Sequence, residues 1–139
     1  MRRRSLRPTA GDDLSDSETA YAECVVEDHA DHKRVHVSGL TSDEPHEAMG
    51  DQTRDVLEQI QTVVGEVGGD MGDVVRVRVY VEEPALTQAN FEAIHAARRE
   101  FFDPGSYPAS TLVEVSKLIR QDRLIEIDAD AVVPDDGWE

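Results

Sequence analysis

Val74-Val75-Arg76-Val77-Arg78-Val79-Tyr80-Val81 alternates with a period of two and lies between two segments of helical period. On a regular strand, Val75, Val77, Val79 and Val81 share one face and Val74, Arg76, Arg78 and Tyr80 the other. Upstream, Met49, Thr53, Val56, Leu57, Ile60, Val63, Val64 and Val67 recur at helical spacing until Gly68-Gly69 stops the helix. Downstream, Glu82-Glu83-Pro84 closes the strand. A second helix then runs from about Leu86 to Phe102, with Phe91, Ile94, Ala97 and Phe101 on one side. A strand held between two helices points to an α+β protein.

The flanking segments complete the order. Tyr21–Glu27 and Arg34–Ser38 are β-prone, and the polar Asp28-His29-Ala30-Asp31-His32-Lys33 between them reads as a hairpin turn. Thr111–Val115 and Leu124–Val132 supply two more strands, joined by the charged Lys117–Arg123. The predicted order is β-β-α-β-α-β-β in a single domain over residues 18–139, with residues 1–17 as a disordered tail. Two helices separated by a strand cover only one face of the sheet. The other face is too mixed for plain solvent surface and too apolar to stay bare, so a closed homo-oligomer is expected.

Composition narrows the function. Thirty acidic residues face 14 basic ones, for a net charge of −16. Arg2, Arg3, Arg4 and Arg7 fall in a stretch without acids, so the rest of the chain is more negative still. Such a body repels nucleic acid and anionic lipid. Lysine occurs only at Lys33 and Lys117, and an acid-rich, lysine-poor composition suits a halophilic protein. At molar salt the Debye length falls to about 3 Å and self-repulsion is screened. No apolar run is long enough to cross a membrane. Arg2-Arg3-Arg4 is followed by polar residues rather than an apolar segment, so an export signal is not expected. The lone Cys24 lies in an apolar stretch and reads as a buried thiol in a reducing, cytoplasmic setting.

The chemistry-bearing motifs are concentrated near the C-terminus. Tyr107-Pro108-Ala109-Ser110-Thr111-Leu112-Val113-Glu114-Val115 is followed by Leu124-Ile125-Glu126-Ile127-Asp128-Ala129. Taken with Val37-Ser38-Gly39, Gln52-Thr53-Arg54, Asp73-Val74-Val75-Arg76 and Phe101-Phe102, this succession closely resembles the reactive intermediate deaminase (Rid, YjgF-like) family. The resemblance runs from about Tyr21 to Pro134. It implies a chorismate-mutase-like fold, a homotrimer, and small-molecule clefts between adjacent subunits. It also implies hydrolysis of enamine or imine intermediates such as 2-imino acids, with no metal or organic cofactor.

Deaminating members carry an arginine after the Pro-Ala pair, which grips the substrate carboxylate; here that position is Ser110. A serine cannot neutralise a carboxylate, so a weak deaminase is expected unless another cation has moved into the cleft. Arg78 and His95 are the sequence candidates for that role. By the same resemblance Glu126 is the catalytic glutamate that positions water. Tyr21, Ser38, Gly39 and Ser110 line the substrate site, and His95 stands where active members have asparagine.

Each of these residues also has a plain structural reading. Glu126 alternates with Ile125 and Ile127 as a half-exposed strand residue would. Tyr21 can be a packed strand tyrosine, Ser38-Gly39 a strand end, and His95 a partly buried helix histidine. Ser110 can be an ordinary strand serine, and Arg78 can pair with Glu114 or Asp128. His29, His32 and His36 with Asp28 and Asp31 fall in a turn and the strand after it, not at metal-site spacing, and no metal is expected.

The first reading is therefore a Rid-like protein that binds small metabolites and hydrolyses imines. The alternatives are a noncatalytic ligand-binding or regulatory member, and an endoribonuclease or translation inhibitor, against which the charge argues. Self-repulsion of this magnitude should make stability rise with salt. The melting temperature is expected to climb from dilute buffer to molar potassium chloride; a flat or falling curve would separate the acidity from salt adaptation.

Overall fold

The computed structural model describes residues 2–10, 18–45 and 48–135. In chain order these form β1 (Arg2–Ala10), β2 (Glu18–Asp28), β3 (His32–Leu40), α1 (Met49–Glu66), β4 (Val74–Glu82), α2 (Gln88–Phe101), β5 (Ala109–Val115) and β6 (Ile125–Pro134). The six strands make one mixed sheet in the order β1-β2-β3-β6-β4-β5. Only β4 and β5 are parallel; the other neighbours are antiparallel. Strand β6 thus enters between β3 and β4, and the chain's last strand closes the centre of the sheet.

Both helices lie on one face, and the period-two pattern decides which side chains go there. Val77, Val79 and Val81 of β4 and Ile125, Ile127, Ala129 and Ala131 of β6 are buried, as are Val35 and Val37 of β3. They meet Val56, Leu57, Ile60, Val63 and Val64 of α1 and Ile94 of α2. Helix α1 ends in a Schellman turn, with Gly69 N–H donating to Val64 O and Gly68 N–H to Gly65 O, each at 3.0 Å. Gly68 adopts φ +92°, a conformation that favours glycine. Thr87 caps α2 by accepting from Asn90 N–H at 3.1 Å.

Gln52 is buried within α1 and accepts from Leu124 N–H at 2.7 Å, tying the helix to the start of β6. The charged segment before β6 is fixed in the same way. Arg123 is buried, and its guanidinium donates to Ser42 O at 2.8 Å and Asp43 O at 2.7 Å in the loop after β3.

Two expectations need correction. The N-terminal segment does not stay outside the fold over residues 2–10: Arg2–Ala10 runs as β1 antiparallel to β2. A composition argument weighs apolar content and misses that an open strand edge supplies hydrogen bonds to any backbone. Here the pairing also sets Arg2 opposite Asp28 and Arg3 opposite Glu27, and Arg4 Nε donates to Asp28 Oδ2 at 3.1 Å. Residues 11–17 lie outside the described residues. The second correction concerns β4, whose register against β6 shifts between Val74 and Arg76. That bulge turns Val74 into the core and leaves Val75 47% exposed, the reverse of regular alternation.

Among the described residues no helix is long and apolar enough to cross a membrane.

Candidate functional site

The face without helices carries a connected row of charges. His36 on β3 places Nε2 2.7 Å from Glu27 Oε2 and Nδ1 2.8 Å from Asp130 Oδ1. Arg78 on β4 donates to Asp128 Oδ1 at 2.8 Å and to Asp130 Oδ2 at 3.3 Å. Tyr80 completes the row through its hydroxyl, 3.4 Å from Asp128 Oδ2. Burial opposes the charge on His36, but the hydrogen bonds to Asp130 and Glu27 outweigh it and raise its pKa. With a carboxylate at each ring nitrogen, His36 is best satisfied as the doubly protonated cation. Arg78 is committed to this row, so it is not a displaced guanidinium for a ligand. Its partners are Asp128 and Asp130; Glu114 instead accepts from Leu86 N–H at 3.4 Å.

Beside the row, the β3–β6 register shifts between Val37 and Leu40, so Ser38 and Gly39 together stand opposite one residue of β6. The Ser38 hydroxyl donates to Ala22 O of β2 at 2.7 Å and pins the bulge. A side chain at Gly39 would overlap the Glu126 carboxylate, whose Cδ lies 3.0 Å from the position of its Cβ. The bulge and the missing side chain therefore make a recess in which Glu126 sits. Burial, with a smaller contribution from the Asp128 charge, pushes the Glu126 carboxyl above its ordinary 4.5. Tyr21, next to Ala22 on β2, stands 50% exposed at the rim rather than packed in the core. Ser38, Gly39 and Glu126 thus gather at one place, with Tyr21 on the neighbouring strand.

His95 and Ser110 are elsewhere. Ser110 is level with Val77 in the parallel β4–β5 pair, so it faces the helix side at the sheet edge. Strand β4 lies between β5 and β6, which puts Ser110 and Glu126 on strands about 10 Å apart and on opposite faces. His95 lines a cleft of about 290 Å³ with Arg98, Arg99, Phe102, Tyr107 and Pro108. His95, Arg98 and Arg99 follow one another at i, i+3 and i+4 along a single stripe of α2, and Phe102 follows directly after the helix ends. Pro108 leads directly into Ala109-Ser110.

The His95 ring meets Phe91 edge-on at 4.4 Å. Burial first, then the charges of Arg98 and Arg99, lower its pKa. It is therefore neutral at pH 7 and not a cationic stand-in. The cations of this cleft are Arg98 and Arg99, which the sequence reading passed over. Their spacing from His95 along α2 was the available signal.

Of the histidines near the hairpin, His29 stacks on His32 at 4.6 Å, while His36 belongs to the charge row. Among the described residues no group of three or more His, Cys, Asp or Glu is arranged to hold a metal ion.

A profile of the Endoribonuclease L-PSP family matches residues 13–133. The chain belongs to this family, also called the YjgF, RutC or Rid family. A RutC family protein of Pyrococcus horikoshii is 40% identical over 79 residues, 57% of this chain and 58% of that one. A RutC family protein of Synechocystis is 34% identical over 83 residues, 60% of each chain. The chain thus spans somewhat under two thirds of the length of these curated relatives. A YjgF-family protein of Mycobacterium tuberculosis superposes with a TM-score of 0.75 at 27% identity, covering 95% of this chain and 100% of that one.

The raised pKa of Glu126 has a thermodynamic consequence. The folded protein holds this proton more tightly than the unfolded chain, so its contribution to stability falls as pH rises from about 4.5 through the raised value. Once ionised above that value, the carboxylate is a cost. Glu126→Gln is expected to raise the melting temperature more at pH 7 than at pH 4. An equal gain at both pH values, or a loss at pH 7, would contradict this account of Glu126.

Proposed function

We propose that the protein binds small carboxylate metabolites in clefts shared between subunits of a homotrimer and hydrolyses imines there. The observation that carries this reading is the division of the matching residues. Tyr21, Ser38, Gly39 and Glu126 occupy the helix-free face, while His95 and Ser110 lie at the α2–β5 edge. No single subunit joins the two halves, whereas packing one subunit's edge against the next subunit's open face would unite them. The charge row supports burial of that face, since Arg78, His36 and their carboxylates already satisfy one another and need little water.

In this reading a water oxygen bonds to the imine carbon as the C=N π pair moves to nitrogen, which takes up a proton. The resulting carbinolamine loses ammonia and leaves the 2-oxo acid. Glu126, with its pKa raised by burial, is suited to take the proton from water and return it to nitrogen. These steps use only water and protein side chains, with no metal or organic cofactor, and they fit a cytoplasmic setting where imines arise from amino acids. Ser110 favours a second reading, in which the cleft binds its ligand without turning it over. An RNA-cleaving role, which the family's name suggests, fits poorly with a net charge of −16.

Ammonia release from 2-iminopropanoate, generated in situ, tests the reading on particles whose mass is checked by light scattering. Three chains per particle are expected, with hydrolysis above background that falls roughly 100-fold in Glu126→Ala. A monomer would remove the shared cleft. A trimer that binds ligand without accelerating hydrolysis would establish the noncatalytic reading.

A further inference from the structure

We propose that Arg98 is the carboxylate-binding residue of this protein, supplying from α2 the guanidinium that the Ser110 position lacks. The inference rests on the shared-cleft reading and adds the residue that selects an anion. Arg98 lines the cleft between His95 and Phe102, beside the Tyr107-Pro108 segment that leads into Ser110. It is half-buried, and among the described residues no acid pairs with it, although the chain carries 30 acidic residues against 14 basic ones.

Three other arginines on the strands and helices pair with acids: Arg4 with Asp28, Arg54 with Glu100 and Asp51, and Arg78 with Asp128 and Asp130. Arg76 on β4 is also partly buried, but it donates to the Thr111 hydroxyl at 3.4 Å. Burial alone lowers the Arg98 pKa, with no neighbouring carboxylate to offset it, as expected of a cation held ready for a counter-ion. Neutral His95 adds a hydrogen-bonding group without adding charge. Phe102, Tyr107 and Pro108 supply an apolar wall for a short carbon chain. Arg99 reinforces the positive potential but is exposed, so solvent screens it and its share is smaller.

The ligand class that fits is a small monocarboxylate with a short apolar tail, its planar carboxylate matched to a planar guanidinium. The fork need not come from β5. One turn of α2 presents it to a cleft that Tyr107 and Pro108 wall off just before Ser110.

Titration calorimetry of the assembled protein with pyruvate and with neutral pyruvamide tests the assignment in wild type, Arg98→Gln, Arg98→Lys and Arg99→Gln. Wild type should prefer pyruvate. Arg98→Gln should weaken pyruvate binding roughly 10- to 150-fold and leave pyruvamide unchanged, while Arg98→Lys retains part of the preference. Arg99→Gln should stay within about threefold of wild type. If Arg98→Gln fails to assemble, reduced discrimination by Arg98→Lys still supports the assignment. Full discrimination in either Arg98 variant overturns it, yet leaves the shared cleft in place. Wild type that binds pyruvamide as well as pyruvate, or binds neither, also overturns it. The cleft is then judged by particle mass and the Glu126 dependence of imine hydrolysis.

Discussion

Every feature of this molecule depends on one-sided burial of a six-stranded sheet. Alternation along β4 and β6 sends Val77, Val79, Val81, Ile125, Ile127, Ala129 and Ala131 beneath the two helices. The same alternation sends Glu126 to the far side together with Arg78, Tyr80, Asp128 and Asp130, and these last four form a connected row with His36 and Glu27. A residue with period two cannot serve both faces, so the apolar core and the charge row are one constraint seen from two sides. Shifting β6 by one residue would put the carboxylates under α1 and the isoleucines outside.

Departures from regularity are few, and two of them bear on function. The bulge at Ser38-Gly39 breaks the β3–β6 ladder where the Glu126 carboxylate needs room, and the absence of a side chain at Gly39 provides it. Hydrogen bonds from Arg123 to the loop after β3 hold that end of the sheet in place without a large apolar contact. At the other edge, a stripe of α2 concentrates positive charge in a strongly acidic protein. In the proposed shared cleft the two halves would differ in sign: a partly desolvated carboxylate in one, and guanidiniums in the other. An imino acid is asymmetric in the same sense, with an anionic carboxylate at one end and a carbon awaiting water at the other.

Much of the fold was legible in the sequence because it rests on periodicity. The helical recurrence from Met49 to Val67 and the alternation of Val77, Val79 and Val81 survive in the structure, and Gly68-Gly69 ends α1 by the expected turn. What escaped was set by partners distant in sequence. Strand β1 exists because β2 offers it an edge and opposing charges, neither of which a local window can contain. The reversal at Val74-Val75 comes from pairing with β6, more than fifty residues later. In the candidate site, Gly39 and Glu126 were identified through the family resemblance, but their contact was not visible in sequence. Arg98 was overlooked because a helix arginine beside a second arginine looks like solvated surface. Only the fold sets it against Tyr107-Pro108 without an acid partner.

A crystal structure of the oligomer grown with pyruvate addresses the shared cleft most directly. The account predicts the carboxylate within hydrogen-bond distance of the Arg98 guanidinium of one subunit, with Glu126 and Gly39 of a second subunit facing the ligand's 2-carbon. Pyruvate held wholly within one chain, or an α2–β5 edge left open to solvent in the assembled particle, would contradict it.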